Sequence, residues 1–176
     1  MRIVSVLGWL LLSLLPAAVD AQLRIVSYNV ANSGQSGSPN TPRAGMDVVL
    51  EAIGNEVQQG ISKPIDVLLL QESQSSAVTG QAYVNLLNGI YGAGTYARAS
   101  LEPGTSGGGR TGLVYNTQSV QIVGELPIPN AGPRDTVRYL VRPIGYGALA
   151  DFVIYNDHYK AGSSGSDQST RASHAN

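Results

Sequence analysis

The sequence predicts an α/β fold in which helices lie outside a mixed β-sheet. In the first third of the chain, short β-branched and aliphatic runs alternate with stretches whose apolar residues recur at helical spacing. That alternation is typical of strands separated by amphipathic helices. The rest of the chain consists mostly of consecutive strand-like runs divided by segments rich in Gly, Pro and Ser. Together the two patterns indicate an α/β sandwich rather than a helical bundle.

Two strands and two helices are predicted in the first third of the chain. Their order is strand Leu23–Val30, helix Arg43–Gln59, strand Ile65–Ser73 and helix Ala77–Ile90. Pro42 precedes the first helix and favours a helix start, because the N–H that proline lacks has no partner there. Each helix carries its apolar residues on one face, so each can bury that face against a sheet.

Five further strands are predicted, covering residues 95–101, 110–116, 119–128, 136–146 and 150–158. The last residues then predict the start of a helix, with Ser166 or Asp167 as its N-cap. No apolar face and no stop signal follow. Because a helix that ends after its first turns buries little, we expect the domain to be incomplete at its C-terminus. A natural, frayed C-terminus is the alternative.

Residues 1–21 have the pattern of a secretory signal peptide. Arg2 supplies the positive start, an apolar run extends from Val6 to Leu15, and small residues precede a cleavage point after Ala21. The run is shorter than the about 20 residues that a membrane span needs; an uncleaved N-terminal anchor is the alternative. We therefore expect a secreted or periplasmic protein whose mature chain, residues 22–176, forms one domain.

The composition excludes several classes of protein. The chain has no cysteine, which excludes disulfides and thiolate zinc sites. A net charge of −1 argues against a nonspecific polybasic binder of nucleic acid. No later segment is long and apolar enough to cross a bilayer, and no feature predicts a stable protein partner.

Polar side chains close three of the predicted strands: Asn29, Glu72 and His158. In α/β proteins, groups at the C-terminal ends of strands tend to meet in a common crevice. Asn and Glu oxygens are hard ligands suited to Mg²⁺ or Mn²⁺. A neighbouring histidine can donate a hydrogen bond to a phosphate or act as an acid or base. Taken singly, each residue also has a structural interpretation: a capped strand end, a strand meeting water or a surface histidine.

Other polar residues have ordinary structural interpretations. Tyr115 is predicted to pack in the core with its hydroxyl bonded. Arg134, Arg138 and Arg142 alternate within an extended stretch, and the last two share a face at even spacing. A solvated sheet face is the default interpretation of such a pattern.

Five segments occur in a distinctive order: LRIVSYNVAN, IDVLLLQES, RTGLVYN, RYLVRPIGY and DFVIYNDHYKAG. This series resembles the endonuclease/exonuclease/phosphatase superfamily, whose fold is that of DNase I. The family has an apolar strand ending in Asn, a strand ending in Gln-Glu, a Gly-apolar-apolar-Tyr strand, an Arg-Pro strand and a strand ending in Asn-x-His. The resemblance extends from Leu23 over nearly the whole chain. It implies a DNase I-like sandwich of two mixed β-sheets with outer helices, of which only the N-terminal part is present.

The resemblance implies roles for three strand-end residues. Glu72 would be the principal ligand of Mg²⁺, or of Mn²⁺ or Ca²⁺. Asn29 would sit beside the metal and the attacking water. His158 would contact the scissile phosphate, by a hydrogen bond or as a general acid or base. The implied activity is metal-dependent hydrolysis of a phosphodiester in a nucleic acid or a phospholipid head group.

Three more residues have roles implied by the resemblance. Arg142 matches the Arg-Pro position and would support the site or bind phosphate. Asn156 would orient the loop that follows it. Lys160 would add positive charge near the phosphate.

Two later motifs of the family, Gly-Asp-x-Asn and Ser-Asp-His, do not occur in the sequence. Since these supply the residues that activate water, we expect the chain alone to be inactive or nearly so. Two other functions stay open: an extracellular binding module without catalysis, and a structural β-rich surface domain. The choice of substrate is expected to lie in the loops Gly34–Thr41 and Glu102–Gly109.

Overall fold

The computed structural model describes residues 22–31, 40–105 and 108–175, so the predicted signal peptide and most of the loop Gly34–Thr41 lie outside the described residues. Within these ranges the protein is a mixed α/β fold with two β-sheets and three α-helices. The strands are β1 (Ile25–Asn29), β2 (Val67–Ser73), β3 (Tyr96–Arg98), β4 (Arg110–Asn116), β5 (Val120–Ile128), β6 (Thr136–Pro143) and β7 (Phe152–Asn156). The helices are α1 (Met46–Asn55), α2 (Gln81–Tyr91) and α3 (Gly165–His174). In this part of the chain, no helix has the length and apolar character to cross a membrane.

The two sheets differ in the direction of their strands. The first has the order β1-β2-β4-β3, with β1 parallel to β2 and the other pairs antiparallel. The second has the order β5-β6-β7 and is antiparallel across its described strands. The expectation of two mixed sheets is therefore right for the first sheet and wrong for the second. Short turns join the strands of the second sheet, whereas a parallel pair needs a crossover of a dozen or more residues.

Alternation along β2 builds a core on both faces of the first sheet. Leu68 and Leu70 pack in one buried cluster with residues of α1 and α2. Val67 and Leu69 pack in a second cluster with residues of β5, β6 and β7. A strand buried on both faces has a continuous apolar sequence, as the run VLLL does. The layers are therefore α1 and α2, then the first sheet, then the second sheet.

Helix α1 is shorter than the predicted Arg43–Gln59. Gly45, directly before it, has a φ of +80°, and Glu56, directly after it, is extended. A left-handed residue cannot continue a right-handed helix, so the helix begins only at Met46. The predicted helix Ala77–Ile90 consists of two parts. A π-helical turn, Ser76–Gly80, leads into the α-helix α2, which begins at Gln81 and ends at Tyr91.

Helix α3 begins two or three residues earlier than the predicted N-caps allow. Its N-cap is Ser164, whose hydroxyl accepts a hydrogen bond from the Asp167 amide at 3.1 Å. The Asp167 carboxylate accepts one from the Ser164 amide in return, also at 3.1 Å. This reciprocal pair is a capping box, so Asp167 is the third residue of the helix and the prediction of Ser166 or Asp167 as N-cap was wrong.

Asn156, the last residue of β7, joins the two sheets. Its buried side chain donates from Nδ2 to the carbonyl oxygens of Leu70, at 3.2 Å, and Gly112, at 2.8 Å. Those two residues are opposite each other in β2 and β4. Its Oδ1 accepts from Gln71 Nε2 at 2.9 Å, and Gln71 also donates to Ser27 Oγ of β1 at 3.2 Å. One amide therefore links β7 to two strands of the first sheet directly and to a third through Gln71.

Replacing Asn156 by Ala is expected to lower the free energy of unfolding by about 3 kcal/mol, because buried polar partners lose their hydrogen bonds. Urea denaturation measures this. The control is Asn85→Ala on the exposed surface of α2, where a change within about 0.5 kcal/mol is expected. Equal losses for the two variants would contradict a special role for the amide that joins the sheets.

Candidate functional site

A β-bulge near the end of β2 sets the position of Glu72. The pairing of β2 with β4 shifts register between Leu70 and Ser73. Glu72 lies inside this irregularity with a φ of +59°, a left-handed conformation that is uncommon outside glycine. Bulges turn side chains out of their regular alternation. Gln71 is therefore buried between the sheets while the Glu72 carboxylate, 28 % exposed, lies at the sheet edge.

Two glycines at the start of β4 pass close to this bulge. Gly108 and Gly109 have φ values of +73° and +79°. A Cβ atom on Gly109 would lie 2.6 Å from Glu72 Cα, and one on Gly108 would lie 2.0 Å from Arg134 Nη2. Because no side chain fits at either position, the glycine-rich loop allows its backbone to pack directly on the candidate site.

Asn29 and His158 flank the Glu72 carboxylate. Asn29 Nδ2 donates to Glu72 Oε1 at 3.1 Å, and the Asn29 Oδ1 accepts from the Ala31 amide at 2.8 Å. His158 Nε2 lies 3.6 Å from the same Glu72 Oε1. The structure thus brings together the ends of β1 and β2 and the segment after β7, and with them three of the predicted site residues.

Burial keeps the His158 imidazole neutral at neutral pH. Its side chain is only 17 % exposed, and burial lowers the pKa of His158 below its ordinary value. The positive charge of Arg134 lowers that pKa further, whereas Glu72 and Asp157 oppose the change. A neutral imidazole can both donate and accept a proton, which suits it to hydrogen bonding with a phosphate or to acid–base work.

Arg134 is the site residue that sequence reasoning missed. Its guanidinium is buried, donating to the Gly108 carbonyl at 3.0 and 3.1 Å and, more weakly, to the carbonyls of His158 and Tyr159 at 3.4 and 3.5 Å. Burial lowers the pKa of Arg134 and Glu72 opposes this shift, but a guanidinium stays charged in proteins. A fixed cation therefore lies beside the backbone of His158.

The signal that identifies Arg134 is topological. In an antiparallel hairpin, the residues just before one strand lie beside those just after the next. Arg134 precedes β6 and His158 follows β7, so the order of the strands alone places them together. Its spacing with Arg138 and Arg142 hid this, because all three alternate within one extended stretch whose default interpretation is a solvated sheet face.

Arg142 is placed away from the candidate site. Val137 pairs with Asn156, and Arg142 lies five positions further along β6, about 17 Å at the rise of a strand. Its guanidinium forms a bidentate ion pair with Asp151, at 2.5 and 2.8 Å. The sequence-based placement of Arg142 with the catalytic and phosphate-binding candidates is therefore corrected: Arg142 lies away from Glu72 and His158, and Arg134, at the other end of the hairpin, lies beside His158.

Lys160 and Asn156 have structural contacts instead of open positions in the site. Lys160 Nζ lies 2.7 Å from Asp167 Oδ1 of α3 and donates to the Ala161 carbonyl. Asn156 is buried between the sheets, where it fixes the strand end that precedes His158. Tyr115 packs against the inter-sheet core, as predicted.

The donors at the site fit a metal ion that keeps most of its water. Across the described ranges, no group of three or more His, Asp or Glu side chains gathers to hold a metal. Glu72 offers a carboxylate at a partly exposed edge, and the Asn29 amide beside it donates from Nδ2 to that carboxylate while its oxygen accepts from the Ala31 amide. Mg²⁺ is commonly held by one or two carboxylates with water completing its octahedron, so the set suits Mg²⁺ and does not suit Zn²⁺.

Comparison with known proteins identifies no family for this chain. The sequence matches no protein-family model, and no curated protein matches it. The resemblance to the endonuclease/exonuclease/phosphatase superfamily therefore stays a prediction that rests on the five sequence segments.

Replacing Gly109 by Ala is expected to lower the free energy of unfolding by about 2 kcal/mol or more, because it combines a left-handed alanine with overlap against the Glu72 backbone. The control is Gly89→Ala on the exposed side of α2, where a Cβ meets no atom within 4 Å. There alanine should raise the stability by up to about 1 kcal/mol. Thermal unfolding compares the two, and a harmless Gly109→Ala would contradict the close packing on Glu72.

The Asp167 carboxyl is expected to titrate with a pKa of about 2, held down first by Lys160 and then by Ser164. Because this folded pKa lies below the unfolded value of about 3.9, the stability that the carboxylate contributes is present above pH 4 and is lost as the pH falls towards 2. A carboxyl ¹³C NMR titration measures the pKa, and Lys160→Met should raise it. A wild-type value near 4 would contradict the ion pair.

Proposed function

We propose that the protein carries the metal- and phosphate-binding wall of a secreted, divalent-metal-dependent phosphoester hydrolase with a DNase I-like fold. The observation that supports this most is the convergence of Asn29, Glu72, Arg134 and His158 at one edge of the two sheets. A single partly exposed carboxylate beside a buried cation and a neutral imidazole is an arrangement suited to a phosphate that arrives with Mg²⁺.

Glu72 and Asn29 would hold the metal. The bulge fixes the Glu72 backbone, and the Asn29 amide donates to its carboxylate, so the carboxylate is positioned before anything binds; the Asn29 oxygen would exchange its bond with the Ala31 amide for the ion. When bound, Mg²⁺ supplies positive charge to a phosphate oxygen and orients the attacking water. The bulge and the close contact with Gly109 hold the Glu72 backbone, so this backbone would not have to rearrange when the ion binds.

Arg134 and His158 would act on the phosphate. The Arg134 guanidinium is anchored by three backbone carbonyls, so its charge cannot swing away. It therefore provides fixed electrostatic stabilisation for an anion. His158, neutral because burial lowers its pKa, can donate a hydrogen bond to a phosphate oxygen or exchange a proton with the reacting group.

The side chains at the site support a second candidate, because no group of three or more His, Asp or Glu gathers there among the described residues. Without the groups that activate water, the same wall would bind a metal and a phosphodiester but release it unchanged. Turnover separates this binding module from the hydrolase.

Isothermal titration with Mg²⁺ and Mn²⁺ tests the metal site in the full chain. Wild-type protein should bind one ion, and Glu72→Gln should weaken binding at least tenfold, because the only carboxylate of the site is lost. Glu51→Gln removes an equal charge from the exposed face of α1 and should leave binding unchanged. Equal binding by all three proteins would contradict the proposal.

Hydrolysis of bis(p-nitrophenyl) phosphate with Mg²⁺ then distinguishes the two candidates. Turnover that disappears in Glu72→Gln and His158→Ala, both still folded by circular dichroism, supports the hydrolase. Metal binding without turnover supports the binding module. Neither binding nor turnover supports the third possibility, a structural surface domain, and overturns both proposals.

A further inference from the structure

Helix α3 buries one histidine against the rest of the protein. His174 is the single buried residue of this otherwise polar helix, and its side chain has no exposed surface. The ring packs against Tyr159 with 4.6 Å between ring centroids. It also lies directly on Gly132, where a Cβ atom would come within 1.9 Å of His174 Nδ1. The chain thus provides a closely fitting slot for this imidazole.

The slot ends at Asp157, the residue before His158. His174 Nε2 lies 3.0 Å from Asp157 Oδ1. The same carboxylate oxygen accepts a hydrogen bond from the His158 backbone amide at 2.7 Å. One oxygen atom therefore connects the last turn of α3 to the backbone of the candidate site.

The other contacts of α3 hold the same short segment. Arg171 donates from Nη1 to the carbonyls of Lys160 and Gly162, at 2.9 and 2.8 Å. Lys160 in turn pairs with Asp167. Residues 157–162 follow β7 and belong to no strand, so side chains of α3 and of Arg134 supply the contacts that a sheet would otherwise provide.

We propose that His174 is a positioning residue that acts through Asp157 to hold the backbone of His158 in the candidate site. The His174 ring, with Nε2 at 3.0 Å from Oδ1, orients the Asp157 carboxylate, and the carboxylate fixes the His158 amide. The imidazole of His158 is thereby kept facing Glu72, while Arg134 holds the opposite, carbonyl side of the same residue. The catalytic meaning of this role rests on the proposed function, but the positioning itself can be tested without metal or substrate.

Two variants separate the close contact with Asp157 from packing against Tyr159. His174→Phe keeps an aromatic ring against Tyr159 but has no N–H for Asp157. His174→Gln places an amide donor near the position of Nε2 and serves as the rescuing variant. Ser169→Ala, on the exposed side of α3, is the control for changes in the helix itself. If His174→Phe does not fold, Asp157→Asn keeps an oxygen acceptor for the His158 amide but removes the carboxylate charge that faces His174.

Amide hydrogen exchange followed by NMR is the main measurement. In His174→Phe the His158 amide should exchange at least tenfold faster than in wild type, while amides in the core strand β6 keep their rates. His174→Gln should restore most of the protection, and Ser169→Ala should have no effect. Unchanged exchange at His158 in His174→Phe, or equal acceleration at His158 and in β6, would overturn the proposal, because packing or global stability would then explain the role of His174.

A titration with inorganic phosphate in the presence of Mg²⁺ tests whether positioning by His174 affects phosphate binding at the candidate site. If phosphate shifts the His158 ring Cε1 resonance of the wild type, the shift should be smaller in His174→Phe and restored in His174→Gln; equal shifts in all three proteins would overturn the positioning role. If the wild type shows no shift, the proposed phosphate site fails, and the exchange rates still decide whether His174 positions His158.

Discussion

The geometry of the candidate site depends on the buried amide of Asn156, which joins the two sheets. It bonds to the carbonyl oxygen of Leu70, two residues before Glu72, and it lies two residues before His158. The cross-link therefore fixes two chain segments that come from different sheets just before each supplies its polar side chain. The 3.6 Å between the Glu72 carboxylate and the His158 imidazole follows from this arrangement. A packed apolar contact at the same place would hold the sheets together without defining their relative register so closely.

The bulge in β2 resolves a conflict between packing and chemistry. A regular strand would point Gln71 and Glu72 to opposite faces of the first sheet, one of which is covered by helices. Regular alternation already gives Gln71 to the buried network between the sheets, and the irregular register turns Glu72 to the edge. The left-handed backbone at Glu72 is strained for this reason, and Gly109 must lack a side chain to lie on it. Such strain is retained where the surrounding structure over-determines it, as at many functional sites.

Much of the fold was predictable, because it is encoded in local periodicity. All seven predicted strands are present, and alternation in β2 and helical spacing in α1 and α2 identify the core. Asn29, Glu72 and His158 each close a predicted strand, and the prediction that these strand ends meet is confirmed by their contacts.

Arg142 was assigned to the site because it matches the Arg-Pro motif. The antiparallel pairing of β6 and β7 instead places Arg134 beside His158. The contacts of Lys160 and His174 could not be predicted, because they join α3 to the segment after β7, and the docking of this helix depends on single contacts and not on an apolar face. The antiparallel second sheet was predictable from its short turns, although the family resemblance suggested a mixed one.

The most direct test of the central claim is a crystal of the protein soaked with Mn²⁺ and inorganic phosphate, examined by anomalous scattering. We expect an anomalous peak bonded to the Glu72 carboxylate beside Asn29. We also expect phosphate between that ion and the side chains of Arg134 and His158. An ion bound elsewhere, or no ion at Glu72 in well-ordered crystals, would contradict the claim that the Asn156 cross-link and the β2 bulge assemble a metal and phosphate site.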